Sequence, residues 1–281
     1  MSLTGITAYL QPGTLEEAYG LLDDRSIAVG GGTDIIRHPH IGVTTLVDLG
    51  ALPLRYLRHE SGFAIGGTAT LSDMLEHPGL AAHLDGVVAE MLRGVGSPLL
   101  RNAATIGGHL ARGRYSDIVP LLLALDATLT LFDGTERTLS LADYYRAGLH
   151  RSRALISEIG LPPAGPDTAA AFLKFTRVAF DYALLNCAVQ VRLDGRGMVE
   201  EARVAVGETP ALGALVEAAA QSLEGGPLDD GRIDASAELA AAAIPAQDDQ
   251  RASAEYRRAL CRVGVRRALF RARGRLEGRR Q

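Results

Sequence analysis

Near the middle of the chain, Pro162-Pro163-Ala164-Gly165-Pro166 can continue neither a helix nor a central strand, because proline fixes φ and lacks the N–H that either ladder needs. Compositions differ on its two sides, so the segment predicts a boundary between a domain of residues 1–165 and a second of residues 166–281. With 47% apolar residues, a chain of 281 can bury a core in each.

Ahead of that boundary, Thr14-Leu15-Glu16-Glu17 has capping-box spacing and predicts a helix to about Leu22. Ile27-Ala28-Val29 reads as a short buried strand running into Gly30-Gly31-Gly32. Thr45 to Leu49 reads as another, and Phe63-Ala64-Ile65 as a third before Gly66-Gly67. Ser72 is placed to cap a short helix ending before Pro78, and a longer helix covers about Leu80 to Leu92. Asp117 is placed to cap a helix through Leu125, with Pro120 tolerated in its first turn. Ala127 to Phe132, the turn Asp133-Gly134 and Arg137 to Leu139 make a hairpin.

Beyond the boundary, strands at about Ala170 to Phe175, Ala188 to Leu193 and Val199 to Val206 predict an antiparallel sheet. Helices follow at about Leu212 to Leu223, Ala235 to Ala243 and from about Ala252 onward. The expected fold class is α+β.

Several chemistries are excluded by what the chain lacks. No apolar run approaches the roughly 20 residues of a membrane-spanning helix, and no leader-like segment opens the sequence, so no membrane span and a cytoplasmic location are expected. Two cysteines, Cys187 and Cys261, cannot supply the four ligands of an iron–sulfur cluster or structural zinc site, and their apolar neighbours predict buried packing. Seven histidines are scattered, with only His38 and His40 close, so no metal site is expected. The single lysine, Lys174, is in no P-loop, and neither Gly-x-Gly-x-x-Gly nor Gly-x-Ser-x-Gly occurs. A net charge of −4 argues against nucleic-acid binding. From Arg251 to Arg280, however, eleven arginines face only Glu255 and Glu277, which reads as a solvated helix face or a dock for an acidic partner.

Two glycine segments stand out. Gly30-Gly31-Gly32-Thr33-Asp34 follows a predicted strand, and Thr105-Ile106-Gly107-Gly108 follows a polar stretch. Glycines let consecutive amides converge on an anion with no Cβ in the way, and Thr33 and Thr105 add hydroxyls. A Gly-Gly pair is equally an ordinary turn, as Gly66-Gly67 illustrates.

Longer segments carry more information. Val29 to Asp34 with Leu46-Val47-Asp48-Leu49, Ser97 to Gly108, Ser116-Asp117 with Pro120-Leu121-Leu122, Lys174-Phe175-Thr176-Arg177 with Asp181-Tyr182-Ala183, and Glu255-Tyr256-Arg257-Arg258 occur in that order. Together they resemble the FAD-binding (medium) subunit of molybdenum hydroxylases, the xanthine dehydrogenase and carbon monoxide dehydrogenase family. The chain departs from that pattern at His109, where the family typically has asparagine after its glycine pair, and at Gly30, where alanine is commoner.

The resemblance implies an FAD-binding domain of two small α/β subdomains, then a C-terminal domain with a small antiparallel sheet and a helix bundle. It implies FAD as cofactor, with Gly30, Gly31, Gly32, Thr33, Asp34, Thr105, Ile106, Gly107 and Gly108 on its diphosphate and His109 beside them. Asp117 would lie near a ribose hydroxyl, Lys174 in the cofactor region and Tyr182 against the isoalloxazine ring. No catalytic side chain is assigned. The implied role is electron transfer from iron–sulfur clusters on a small partner subunit to NAD, oxygen or another acceptor, with molybdopterin on a large subunit. Two other readings stand beside it: an assembly protein that keeps the fold without flavin, and a stand-alone flavoprotein oxidoreductase.

Overall fold

The structure, a computed structural model, describes residues 5–38, 40–178, 180–208 and 211–279. Chain order runs β1 (Ala8–Leu10), α1 (Leu15–Gly20), β2 (Ser26–Val29), β3 (Thr45–Asp48), β4 (Leu57–His59), β5 (Phe63–Gly66), α2 (Leu71–Glu76), α3 (Pro78–Arg93), α4 (Pro98–Ala103), α5 (Ile106–Arg112) and α6 (Ile118–Ala124). It continues with β6 (Thr128–Phe132), β7 (Glu136–Ser140), α7 (Leu141–Arg146), β8 (Leu155–Leu161), β9 (Thr168–Phe175), β10 (Leu185–Leu193) and β11 (Val199–Gly207). The last elements are β12 (Ala214–Leu215), α8 (Glu217–Gln221), α9 (Asp230–Ala243) and α10 (Ala254–Gly278). This is the expected α+β class. Over the described residues, the elements form two compact units: Met1–His77, Gly96–Arg112 and Thr128–Leu161 in the first, and Pro78–Val95, Gly113–Ala127 and Pro162–Gln281 in the second.

The first unit holds two sheets. One has the parallel order β1-β3-β2, the other the antiparallel order β4-β5-β8-β6-β7, in which β6 and β7 are the expected hairpin. Thr14 caps α1 by accepting from the Glu17 amide at 3.1 Å, while the Glu17 carboxylate reaches back to the Gly13 amide at 2.8 Å. Ala18 of that helix packs with Val47, Leu54, Phe132 and Leu155, and the Tyr19 ring meets Phe132 edge-on with centroids 5.9 Å apart. The cap of α2 is Thr70, not Ser72. Thr70 Oγ1 and the Asp73 carboxylate satisfy each other's amides, and Arg55 holds Asp73 from outside. Ser72 instead donates to Asn102.

In the second unit, β12-β11-β10-β9 form the expected antiparallel sheet. Alternation along β10 sends Leu185, Cys187, Val189 and Val191 into a core with Ile233, Ala237, Ala240, Val265 and Leu269 of α9 and α10. Both cysteines are free and buried there, and burial pushes the Cys261 thiol up to about 12, so packing is their role. Asn186, of opposite parity, meets α6 on the other side of the strand.

Two expectations are corrected here. The helix across 80–92 is broken at residues 83–86, where Leu84, Asp85 and Gly86 take φ of 48°, 59° and 80°. A helix across 212–223 is reduced to α8, because Ala214 and Leu215 pair with β11 instead. Most of the tail arginines are exposed, as the reading of a solvated helix face had it, and they also pair with carboxylates of the unit. Arg257 pairs with Asp249, Arg262 with Glu238, Arg266 with Asp234, Arg271 and Arg275 with Glu90, Arg273 with Asp230 and Arg279 with Asp85. Arg257 holds the loop before α10, and the others tie α10 and its end to α3 and α9 within the unit; Arg280 lies outside the described residues.

Candidate functional site

Strand β2 delivers the chain into the first glycine segment. Gly31 there packs on the carbonyl of Ala103 so tightly that a Cβ would stand 1.6 Å from the oxygen, and a Cβ on Gly30 would meet Thr105 Oγ1 at 2.4 Å. Gly32 takes φ of +68°, which turns the backbone and favours glycine. Among the described residues, the amides of Gly31, Gly32, Thr33 and Asp34 donate to no protein acceptor. They line a cavity of about 370 Å³ together with Thr105, Gly108, His109, Arg112, His150 and Arg153.

The second segment is built differently. The amides of Ile106, Gly107, Gly108 and His109 donate to Ala69 O, Gly67 O, Thr105 Oγ1 and Thr105 O at 2.9–3.2 Å. Gly107 is glycine because Gly67 O would lie 2.5 Å from its Cβ. Bare amides were expected in both segments; the structure leaves them only in the first, and the second forms a rigid wall carrying Thr105 and Gly108.

His109 is half-buried on that wall. Burial, with the Arg112 charge adding to it and Asp34 opposing, holds its imidazole down to about 4, so the ring is neutral at physiological pH. Arg112 Nη1 lies 2.8 Å from Asp34 Oδ1, and His38 Nδ1 lies 2.8 Å from the same oxygen. The carboxylate at the mouth of the glycine segment is thus matched by the Arg112 cation and hydrogen-bonded by His38. The sequence reading missed Arg112, although Gly108 and Arg112 are four apart on α5 and share a face. It also missed Arg153 and His150, which no spacing links to the glycines.

Asp117, Lys174 and Tyr182 lie in the second unit. Asp117 stands at the head of α6 but makes no capping bond; Ser116 Oγ accepts from the Val119 amide at 3.4 Å instead. Its carboxylate is taken by Lys174 Nζ at 2.6 Å and Asn186 Nδ2 at 2.8 Å, and Lys174 also donates to Gly94 O at 3.1 Å. Burial pushes the Asp117 carboxyl up, against the pull of Lys174 and Asn186. The compact ammonium fills a narrow gap between two acceptors, which gives the only lysine a reason. The half-buried Tyr182 ring lies 5.1 Å from that of Tyr115, with the Arg251 guanidinium 5.9 Å from its centroid.

A cavity floored by unpaired glycine amides, with arginines in its wall, marks a protein that binds a large anionic cofactor through its backbone. The chain belongs to the family of FAD-binding flavoprotein subunits of molybdenum hydroxylases: residues 4–164 match the FAD binding domain in molybdopterin dehydrogenase, and residues 170–272 match the CO dehydrogenase flavoprotein C-terminal domain. Its cofactor is FAD, and its class is oxidoreductase. It is 28% identical to the carbon monoxide dehydrogenase medium chain of Hydrogenophaga pseudoflava, over 93% of this chain and 95% of that one. It is 29% identical to the nicotine 6-hydroxylase medium subunit of Paenarthrobacter nicotinovorans, over 94% and 96%. Among solved structures, the reconstituted CO dehydrogenase from Oligotropha carboxidovorans superposes with a TM-score of 0.90 at 27% identity, covering 98% of this chain and all (100%) of that one. No helix among the described residues is long and apolar enough to cross a membrane.

The first unit passes a physical test for FAD's diphosphate. Four consecutive donors lack acceptors, and the glycines leave their approach open. Each hydrogen bond from such a donor to a charged oxygen contributes about 1.5–3 kcal/mol.

Proposed function

We propose that this chain is the electron-transfer subunit of a cytoplasmic molybdenum hydroxylase, linking iron–sulfur clusters on a small partner subunit to an acceptor such as NAD or oxygen. The large partner subunit would carry the molybdopterin. FAD, when bound, supplies the exchange between paired and single electrons that such a relay requires. In this reading residues 1–165 serve as the FAD-binding domain and residues 166–281 as the flavoprotein C-terminal domain. The amides of Gly31 to Asp34 hold the diphosphate. Gly30 keeps the segment against Thr105; Ile106, Gly107 and Gly108 keep the opposite wall rigid. His109 offers a neutral imidazole to the cavity. Asp117 and Lys174 serve the ribose region, and Tyr182 serves the flavin ring.

The observation that carries the reading is the run of unsatisfied amides from Gly31 to Asp34 in a cavity. The names of two relatives, with carbon monoxide in one and nicotine in the other, support placing substrate choice outside this chain.

Co-expression with the adjacent genes, followed by absorbance and solution mass, tests both parts. Stoichiometric FAD in a three-subunit complex is expected. A colourless chain that takes up no added FAD overturns the cofactor site, and a stable coloured monomer overturns the complex. Reduction by NADH without partners would mark a stand-alone flavoprotein instead.

A further inference from the structure

The first glycine segment ends in Asp34, a carboxylate placed where the proposed function puts a dianionic diphosphate. Left alone, that charge would repel the cofactor. It is not left alone, because Arg112 at the far end of α5 holds it at 2.8 Å, with the two side chains 22% and 32% exposed. His38, one turn further along, holds the same oxygen. The glycines themselves give the segment little rigidity, since a residue without Cβ restrains its backbone least. Gly30 and Gly31 are packed on Thr105 and Ala103 at one end. The other end enters a turn in which Gly32 O and Asp34 O accept from the Ile36 and His38 amides, and the Asp34 carboxylate, held by Arg112, ties that turn to α5.

We propose that Arg112 is a positioning residue: its ion pair with Asp34 latches the first glycine segment to α5 and cancels the carboxylate beside the diphosphate. The inference rests on the reading of this cavity as the FAD site. Because Arg112 acts through Asp34, its worth depends on the carboxylate being there. A cation that bound the diphosphate directly would show no such dependence.

The sign of one substitution separates the two cases. Asp34→Asn keeps size and removes charge. If Asp34 merely repelled the cofactor, the variant would bind FAD more tightly; if it anchors the segment, the variant binds more weakly. FAD titrations of the full chain should give about tenfold weaker binding for Asp34→Asn, Arg112→Ala and Arg112→Gln, and no further loss when Arg112→Ala is added to Asp34→Asn. Hydrogen exchange of the flavin-free chain should quicken at the hydrogen-bonded amides of Ile36, Arg37 and His38 in every variant while the β6–β8 amides stay protected. Unchanged or tighter FAD binding in Asp34→Asn, a second tenfold loss in the double variant, or unaltered exchange at Ile36, Arg37 and His38 would each overturn the latch. A wild-type chain that takes up no FAD would sink the proposed function, and the exchange data would still judge the latch.

Discussion

Gly31 and Ala103 touch backbone to backbone: a methyl group on Gly31 would stand 1.6 Å from the Ala103 carbonyl oxygen. Nothing at that distance can be relieved by a rotamer change, so the end of α4 or the glycine segment must move. Gly31→Ala should therefore destabilise the flavin-free chain by about 1–3 kcal/mol and weaken FAD binding at least about tenfold. Thermal melts and FAD titration measure the two effects. A variant that melts and binds like wild type would show the close approach to be dispensable.

Gly32 differs in mechanism. A Cβ there meets nothing nearer than 3.7 Å, but φ is +68°. Gly32→Ala should cost about 1–2 kcal/mol through backbone strain alone, and Gly32→Asn less, because asparagine tolerates the left-handed region. Equal losses for both substitutions would point to a steric cause.

The Lys174–Asp117 pair gives a sharper test, because both partners are largely buried, at 14% and 8% exposure. Lys174→Met strands a carboxylate with Asn186 as its remaining side-chain donor, and urea unfolding should show a loss of about 3–5 kcal/mol at neutral pH. Lys174→Arg should also destabilise, since a planar fork does not fit between Asp117 and Gly94 O. Burial already pushes the Asp117 carboxyl up, so the folded state binds that proton more tightly than the unfolded chain does. Removing the ammonium widens the gap, and the Lys174→Met deficit should shrink as pH falls. A deficit that is constant with pH would exclude the stranded charge as its source.

Much of this architecture is legible in the sequence because it is local. The capping threonine Thr14, the β6–β7 hairpin and the antiparallel order of β9 to β11 follow from residues close to one another in the chain. What escapes is decided at a distance. Ser72 and Thr70 are equally good caps on paper, and the difference is that Arg55 stands ready to hold Asp73, three residues after Thr70. The runs of α3 and α6 are apolar whichever sheet they cover, and they pack in the second unit although they precede the proline segment. At the site, glycine content marks both segments alike; only the position of Gly67 and Ala69 determines that the second spends its amides internally. Arg112 was readable from its helical spacing to Gly108, had the cavity face of α5 been known.

The α2 cap predicts a pH dependence. The Arg55 guanidinium holds the Asp73 carboxyl below its usual range, with the Thr70 amide and hydroxyl adding to the effect. A depressed carboxyl contributes stability above its unfolded value of about 3.9 and loses it as pH falls through the lower folded value. Asp73→Asn should therefore cost about 1 kcal/mol at neutral pH and little in strong acid. Melting curves that stay parallel from pH 7 to about pH 2 would refute the assignment.

His109 carries the same sign from a different cause. Burial disfavours the imidazolium, so the folded ring titrates near 4 whereas the unfolded one titrates near 6.5. Between those values the unfolded state binds the extra proton, and wild-type stability must fall as pH falls through that window. His109→Asn removes the titrating group while keeping a polar side chain at the cavity wall. The variant should lose this part of the acid sensitivity and match wild type above about pH 7. In proton NMR, the His109 resonance, identified by its disappearance in the variant, should titrate with a midpoint near 4 in the flavin-free chain. A midpoint at the ordinary imidazole value would mean that water reaches the ring freely and that the wall is open at His109. The charge of Arg112 would then be too well screened to depress its neighbour.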